Sequence, residues 1–177
     1  VLILSIHWQM VLVDVVQHFL YHNYFLLYLY MLTILGRPLW YDPPKLISFG
    51  LDDDDTSQQI FDIYSISHIQ GGILLYFFLY KVLNIRLKTA LLYLIIIVFI
   101  FEIIENMEFV IKKFRKTYRR YKGDSIVNII GDILCGLLGF LFAYNYPIIS
   151  VIFFIIAHII LYPFEAGFFN IMLTLFH

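Results

Sequence analysis

The sequence predicts an all-α membrane protein, a polytopic bundle of about five transmembrane helices with one long extramembrane loop. Two observations predict it. The chain is 62% hydrophobic and only 14% charged, against the roughly 45 to 50% apolar share of soluble domains, and its mean hydropathy is +0.84. Its apolar residues also run in stretches longer than about 18, the length of a spanning helix, whereas soluble helices alternate apolar and polar faces. A length of 177 residues fits a single integral membrane domain, 1–177. The single cysteine, Cys135, excludes an intramolecular disulfide and a multi-cysteine metal site.

The first span is expected from about Met10 to Leu35 (10–35), stopped by Gly36, Arg37 and Pro38. Its opening turns carry Asp14, Gln17, His18, His22 and Asn23, which must face protein, water or headgroups. His18 and His22 have ligand spacing, but no acidic partner follows and an interfacial position accounts for them. The chain starts at Val1 without a basic leader or a small-residue cleavage site, so no secretory signal is expected. Residues 37–63, with Pro43, Pro44, Gly50 and the run Asp52 to Asp55, read as an extramembrane loop in which the aspartates are solvated. A loop this long is usually functional or disordered.

Four further spans are expected at 64–83, 89–111, 124–144 and 148–175, the last kinked or broken at Pro163 and Gly167. The links are short, which makes neighbours antiparallel. The face Gly131, Cys135, Gly139 reads as a site of close helix packing. The loop 112–123 is basic. Together with Arg37 and Lys45 it places nine Lys and Arg on one side, against Lys81, Arg86 and Lys88 on the other. The positive-inside rule therefore puts loops 37–63 and 112–123 on the cytoplasmic or matrix side. Binding of lipid headgroups is the plainest role for the basic loop.

Polar residues converge on that side. Tyr64, Ser65, Ser67 and His68 open span two, Glu102, Glu105 and Asn106 lie toward the end of span three, and Asp124, Ser125, Asn128 and Asp132 open span four. Asn170 approaches from span five. Glu102, Glu105, Asn106 and Phe109 form one helical stripe by their three- and four-residue spacing, and Asp124, Asn128, Asp132 and Cys135 form another. At about 1.5 Å per residue, Asp124 to Asp132 spans roughly 12 Å of depth. One aspartate at mid-membrane costs about 2.5 to 3.5 kcal/mol, so several need shared partners, protons, water or a metal.

Three readings compete. The first is a hydrogen-bonded network that glues helices together. The second is a divalent metal site with Glu102, Glu105, Asp124 and Asp132 as ligands and Asn128 and His68 completing or orienting it. A metal-activated water would then attack a lipid or isoprenoid phosphate, with Arg115, Arg119 and Arg120 on the phosphate. The third is a proton or ion pathway. No Asp-Gly-rich phosphotransferase motif and no Pro-Ser-Gly-His phosphatase motif is present, so catalytic residues are not assigned and no cofactor is established beyond the candidate divalent ion. His158, alone on an apolar span, reads as a packing histidine. Glu108 lies off the stripe and reads as an ion-pair partner of Lys112.

Gly36-Arg37-Pro38, Ser57-Gln58, the run from Asp62 to His68, Gly71, Glu102-Ile103-Ile104-Glu105-Asn106, Arg115, Thr117, Tyr121, Gly123-Asp124-Ser125-Ile126, Asn128, Asp132-Ile133 and Gly139-Phe140 resemble an uncharacterised membrane-protein family of alphaproteobacteria, the domain of unknown function 2585. The resemblance fades at Asn170, Met172 and Leu173. The family pattern has histidines where this chain has Gln59 and Gln70, a cysteine pair after Gly-Arg-Pro that is missing here, and Arg-Asp-Asn where this chain has Glu165-Ala166-Gly167. The resemblance implies an ancestral polar site, and with the Phe-, Tyr- and Ile-rich composition it implies a mitochondrially encoded relative. With those histidines and cysteines missing, the preferred expectation is a subunit or scaffold of a membrane complex in the mitochondrial or bacterial inner membrane. A metal-dependent lipid-phosphate enzyme is the alternative. Expected partners are membrane lipids and other membrane-protein subunits, not nucleic acid.

Overall fold

The computed structural model describes residues 30–40, 43, 45–50 and 54–176. The body of the expected first span, with Asp14, Gln17, His18, His22 and Asn23, lies outside the described residues, as do Asp52 and Asp53. Among the described residues the regular structure is helical apart from an isolated parallel bridge between Ile47 and Phe61.

Residues 30–34 are helical and stop at Gly36, which takes the left-handed conformation at φ +70°. Gly36 N–H donates to Thr33 O at 2.9 Å and Arg37 N–H to Leu32 O at 3.1 Å, the paired bonds that satisfy the last carbonyls of a helix. Helix α1, Ser65–Leu75, passes without a break into a π-helical stretch, Tyr76–Val82, and Asn84 at φ +52° ends it. α2 is Leu87–Glu105 and α3 is Glu108–Phe114. α4 is Ile126–Asn145, and Ser125 Oγ caps it by accepting the Asn128 N–H at 3.2 Å. α5 is Pro147–Leu161, with its proline in the first turn where the missing N–H costs nothing. A 3₁₀ turn, Tyr162–Phe164, and Glu165 at φ +58° separate α5 from α6, Phe168–Phe176. Three helical stretches, Leu87–Glu105, Ile126–Asn145 and Pro147–Phe164, are long and apolar enough to cross a membrane.

Where the sequence pattern runs one span over 89–111, the chain makes two helices. Asn106 leaves the helical path and Met107 is extended, at φ -75° and ψ 141°. The cause is tertiary, because the Asn106 amide is held by Asp124. Phe109 is consequently on α3 and exposed, off the stripe of Glu102 and Glu105.

α1 and α4 pack backbone against backbone. A Cβ on Gly72 would strike the Gly136 carbonyl, one on Gly139 the Ile69 carbonyl, and one on Gly131 the Ile60 carbonyl. The small-residue face is thus what lets these helices touch. Toward one end of the bundle, Ile73, Tyr76, Leu79, Leu91, Leu94 and Phe140 form an apolar core. At the other, Tyr64, Val110, Phe114, Tyr118, Tyr121 and Ile171 form a second, aromatic core that walls the polar residues. α5 turns Ile148, Ile152, Ile155, Ile159 and Ile160 outward, as a lipid-facing helix does.

Candidate functional site

The end of α2, the start of α1, the segment before α4 and the first turns of α4 meet at one place. They bring together Asp62, Ser65, His68, Glu102, Glu105, Asn106, Tyr121, Asp124, Asn128 and Asp132.

One part of this cluster is fully bonded. Asp62 accepts the backbone N–H groups of Tyr64 at 2.8 Å, Ser65 at 3.0 Å and Ser57 at 3.1 Å, satisfying donors at the start of α1. Asp124 is bound twice by Asn106: Asn106 Nδ2 donates to Asp124 Oδ2 at 2.7 Å, and Asp124 N–H donates to Asn106 Oδ1 at 2.8 Å. Tyr121 OH donates to Asp124 Oδ1 at 3.1 Å. Gln58 Nε2 donates to Gly123 O at 2.7 Å, while Ser125 Oγ donates to Gln58 O at 2.9 Å, so the segment 56–58 closes over 123–125. Ser65 Oγ donates to Asp132 Oδ1 at 2.8 Å. Burial, helped by the neighbouring Asp124 charge, pushes the Asp62 carboxyl up to about 6 against the pull of its backbone donors. Burial also raises Asp124, opposed by hydrogen bonds from Asn106 and Tyr121. The Tyr121 phenol is held well above its ordinary range by burial and by Asp124 beside it.

The other part is not bonded. Glu102 is 0% exposed and neither of its carboxyl oxygens has a hydrogen-bond partner. Glu105 Oε2 and both amide atoms of Asn128 are in the same condition. His68 lies between two acids, with Nδ1 3.4 Å from Glu102 Oε1 and Nε2 3.7 Å from Asp132 Oδ2. These are ion-pair separations, longer than ordinary hydrogen bonds. His68, Glu102 and Asp132 each offer a ligand atom within 4.8 Å of the others, and so do Glu102, Glu105 and Asp124.

Two cavities meet here. A polar one of about 20 Å³, lined by His68, Glu105, Tyr121, Asp124 and Asp132 among others, is large enough for a water molecule. An apolar one of about 260 Å³ runs between α1, α2 and α6, lined by Gly71, Leu74, Leu75, Phe78, Ile97, Phe101, Phe168 and Met172. His68 and Ile171 line both.

Of the other residues singled out in the sequence, Tyr64 lines the polar cavity and packs edge-on to Tyr118 at 5.3 Å. Ser125 serves as the cap of α4. Arg115 donates from Nε to Tyr121 O at 2.7 Å, and Arg115, Arg119 and Arg120 are exposed and absent from the cavity walls. Arg37 is the cation felt by Asp124, and its Nη1 is fixed to Lys122 O at 2.8 Å. Glu108 pairs with Lys112 at 3.5 Å on the surface. His158 packs among Phe154, Tyr162 and Phe169, and Asn170 sits with it around Gly167, away from the cluster.

Gln59 and Gln70 are also away from it. Gln59 accepts Lys45 N–H at 2.5 Å and donates to Pro43 O at 3.2 Å. Gln70 donates to Phe154 O at 2.9 Å and accepts Phe168 N–H at 3.1 Å, fastening α1 to α5 and α6. Sequence reasoning did not find Ser57, Gln58, Asp62 or Arg37 as parts of this region. The available signal was Asp62 three residues ahead of Ser65 at the start of an apolar run, a helix-start pattern.

Residues 32–173, which contain the whole cluster, match the family model described as Protein of unknown function (DUF2585). This chain belongs to that family. It is similar to a UPF0314 protein of Brucella anthropi, 36% identical over 100 residues, covering 52% of this chain and 49% of the relative. A UPF0314 protein of Agrobacterium fabrum is 35% identical over 107 residues, covering 59% and 54%. One from Sphingopyxis alaskensis is 32% identical over 129 residues, covering 64% and 63%. The chain thus spans about half the length of the first of these relatives. They are alphaproteobacterial, and the expected mitochondrial link finds no support in them. No solved structure matches.

Proposed function

We propose that this protein is a metal-dependent enzyme of a bacterial inner membrane, acting on a phosphate-bearing lipid. The observation that carries the reading is Glu102: a fully buried carboxyl group, without a donor on either oxygen, beside three more acids and a histidine. A network kept only to hold helices together satisfies its members, because a half-satisfied one is worse than an apolar core. Asp62, Asn106, Asp124 and Ser125 obey that rule. Glu102, Glu105 and Asn128 do not, and a divalent cation supplies the positive partner that is missing.

The missing family histidines do not weaken this, since Gln59 and Gln70 are bonded elsewhere. The substrate class comes from the meeting of the two cavities at His68. A lipid with its tail in the apolar cavity presents its polar end to the acids. Hydrolysis then adds a water oxygen to phosphorus and breaks the phosphorus–oxygen ester bond, the water proton passing through a cluster side chain to the departing oxygen. The positive-inside rule puts the cluster and loops 37–63 and 112–123 on the cytoplasmic side.

The test is elemental analysis of the full chain purified in mild detergent, with release of inorganic phosphate from a lipid phosphate in mixed micelles. Bound divalent metal and phosphate release are expected, with metal content lowered and phosphate release lost in Asp124→Ala. A metal-free and inactive wild type overturns the enzyme reading. If it also migrates as a large stable complex on native gels, the second reading, a subunit of a membrane assembly, takes its place.

A further inference from the structure

Resting on the metal reading above, we propose that the cluster holds two divalent cations, with Glu102 as the bridge between them. The two ligand sets are His68, Glu102 and Asp132 on one side and Glu102, Glu105 and Asp124 on the other. Glu102 is common to both. Its two oxygens are both buried and both lack a donor, and a carboxylate has lone pairs enough to give one oxygen to each ion.

Charge favours two ions over one once metal displaces the protons of these acids. Glu102, Glu105, Asp124 and Asp132 together carry four negative charges when ionised, all within apolar walls. One divalent cation leaves two charges uncompensated in a low-dielectric setting, which is costly. Two cations balance them. His68 enters as a neutral imidazole and adds no charge, and it is the nitrogen donor of its set.

Asn128 strengthens the case. It lies one helical turn before Asp132 on the buried face of α4, 0% exposed, with neither amide atom bonded. Its carbonyl oxygen is a further neutral ligand of the kind hard divalent ions accept. Two ions in the range of about 3.5 to 4 Å apart form the clamp that stabilises attacking and leaving oxygens in displacement at phosphorus. That arrangement fits a phosphate ester and not a proton pathway. Carboxylate oxygens with one imidazole suit a first-row divalent ion such as Mn²⁺.

The experiment loads the full detergent-purified chain with Mn²⁺ and reads metal per chain by elemental analysis together with the electron paramagnetic resonance spectrum. The expected result is two Mn²⁺ per wild-type chain with an exchange-coupled spectrum. His68→Ala and Glu105→Ala should each retain one ion with the isolated six-line signal, and Glu102→Ala should lose the coupling. One Mn²⁺ per wild-type chain with an uncoupled signal overturns the bridge and leaves the metal reading standing. No bound Mn²⁺ overturns both. The wild-type measurement decides the matter even where a variant does not fold, and Glu108→Gln, outside the cluster, should bind as wild type does.

Discussion

Asn106 and Asp124 hold each other by two hydrogen bonds in opposite senses, side chain to side chain at 2.7 Å and side chain to backbone at 2.8 Å. The pair ties the end of α2 to the segment that leads into α4, and it bends the chain between α2 and α3. Asn106→Ala removes both bonds and leaves Asp124 with Tyr121 and Ser57 as its remaining side-chain donors. A buried charged acceptor that loses a donor costs about 1.5 to 3 kcal/mol. Thermal unfolding in detergent should show a loss of at least that size. An unchanged midpoint would remove the pair from the forces that hold this end of the bundle.

The Asp62 carboxyl, pushed up to about 6 from 3.8, predicts a pH dependence. A carboxyl whose folded value is raised favours the protonated form in the native state. Stability from this group is therefore fully present below the unfolded value near 4 and is lost as pH rises toward 6. The difference is about 3 kcal/mol between those limits. With a chelator present, the wild type should lose stability across that interval and Asp62→Asn should show a flatter profile there. A wild-type profile that rises with pH instead would contradict the assignment.

Much of the site was legible as a pattern and much was not, for a physical reason. The pairs Asn128, Asp132 and Glu102, Glu105 follow from helical spacing, and the stop at Gly36 from its residue type. Asp124 lies ahead of α4, where the extended cap Ser125 breaks the expected stripe. The break at Asn106 was not legible either, because it depends on a partner eighteen residues away. The same holds for the loop ahead of α1. Thr56, Ser57, Gln58 and Asp62 look like solvated loop residues, yet they are buried at 3 to 6% exposure. They are buried because their bonds run to the Gly123 and Ser125 segment and to each other. Gln59 and Gln70 show the converse, since the departures that argued for a scaffold fall on positions that brace backbone rather than face the acids.

The glycines give a prediction of opposite sign at neighbouring positions. Gly72→Ala and Gly139→Ala place a methyl against the carbonyls of Gly136 and Ile69 and must separate α1 from α4. Overpacking of this kind costs roughly 1 to 3 kcal/mol. Gly136→Ala meets Val98 Cγ2 at 3.4 Å, an ordinary contact with a side chain. There the gain in helix propensity, up to about 1 kcal/mol, should prevail. Melting curves of the three variants should fall on both sides of the wild type. A common direction for all three would mean that the α1 and α4 contact does not set the outcome.

The apolar cavity makes the last prediction. A space of about 260 Å³ walled by Leu74, Leu75, Phe78, Ile97 and Phe101 offers almost nothing to a water molecule. In a bilayer the surrounding solvent is hydrocarbon, so a chain from a lipid can enter it and end beside His68. The protein purified in a mild detergent should carry a lipid visible by native mass spectrometry. Leu74→Trp, which fills the cavity from α1, should lower that occupancy several-fold while the metal content stays as in the wild type. His68→Ala should act the other way, reducing metal with the bound lipid retained. If both variants lose lipid and metal together, the two cavities are one structural unit, and the separation of tail from polar end at His68 is wrong.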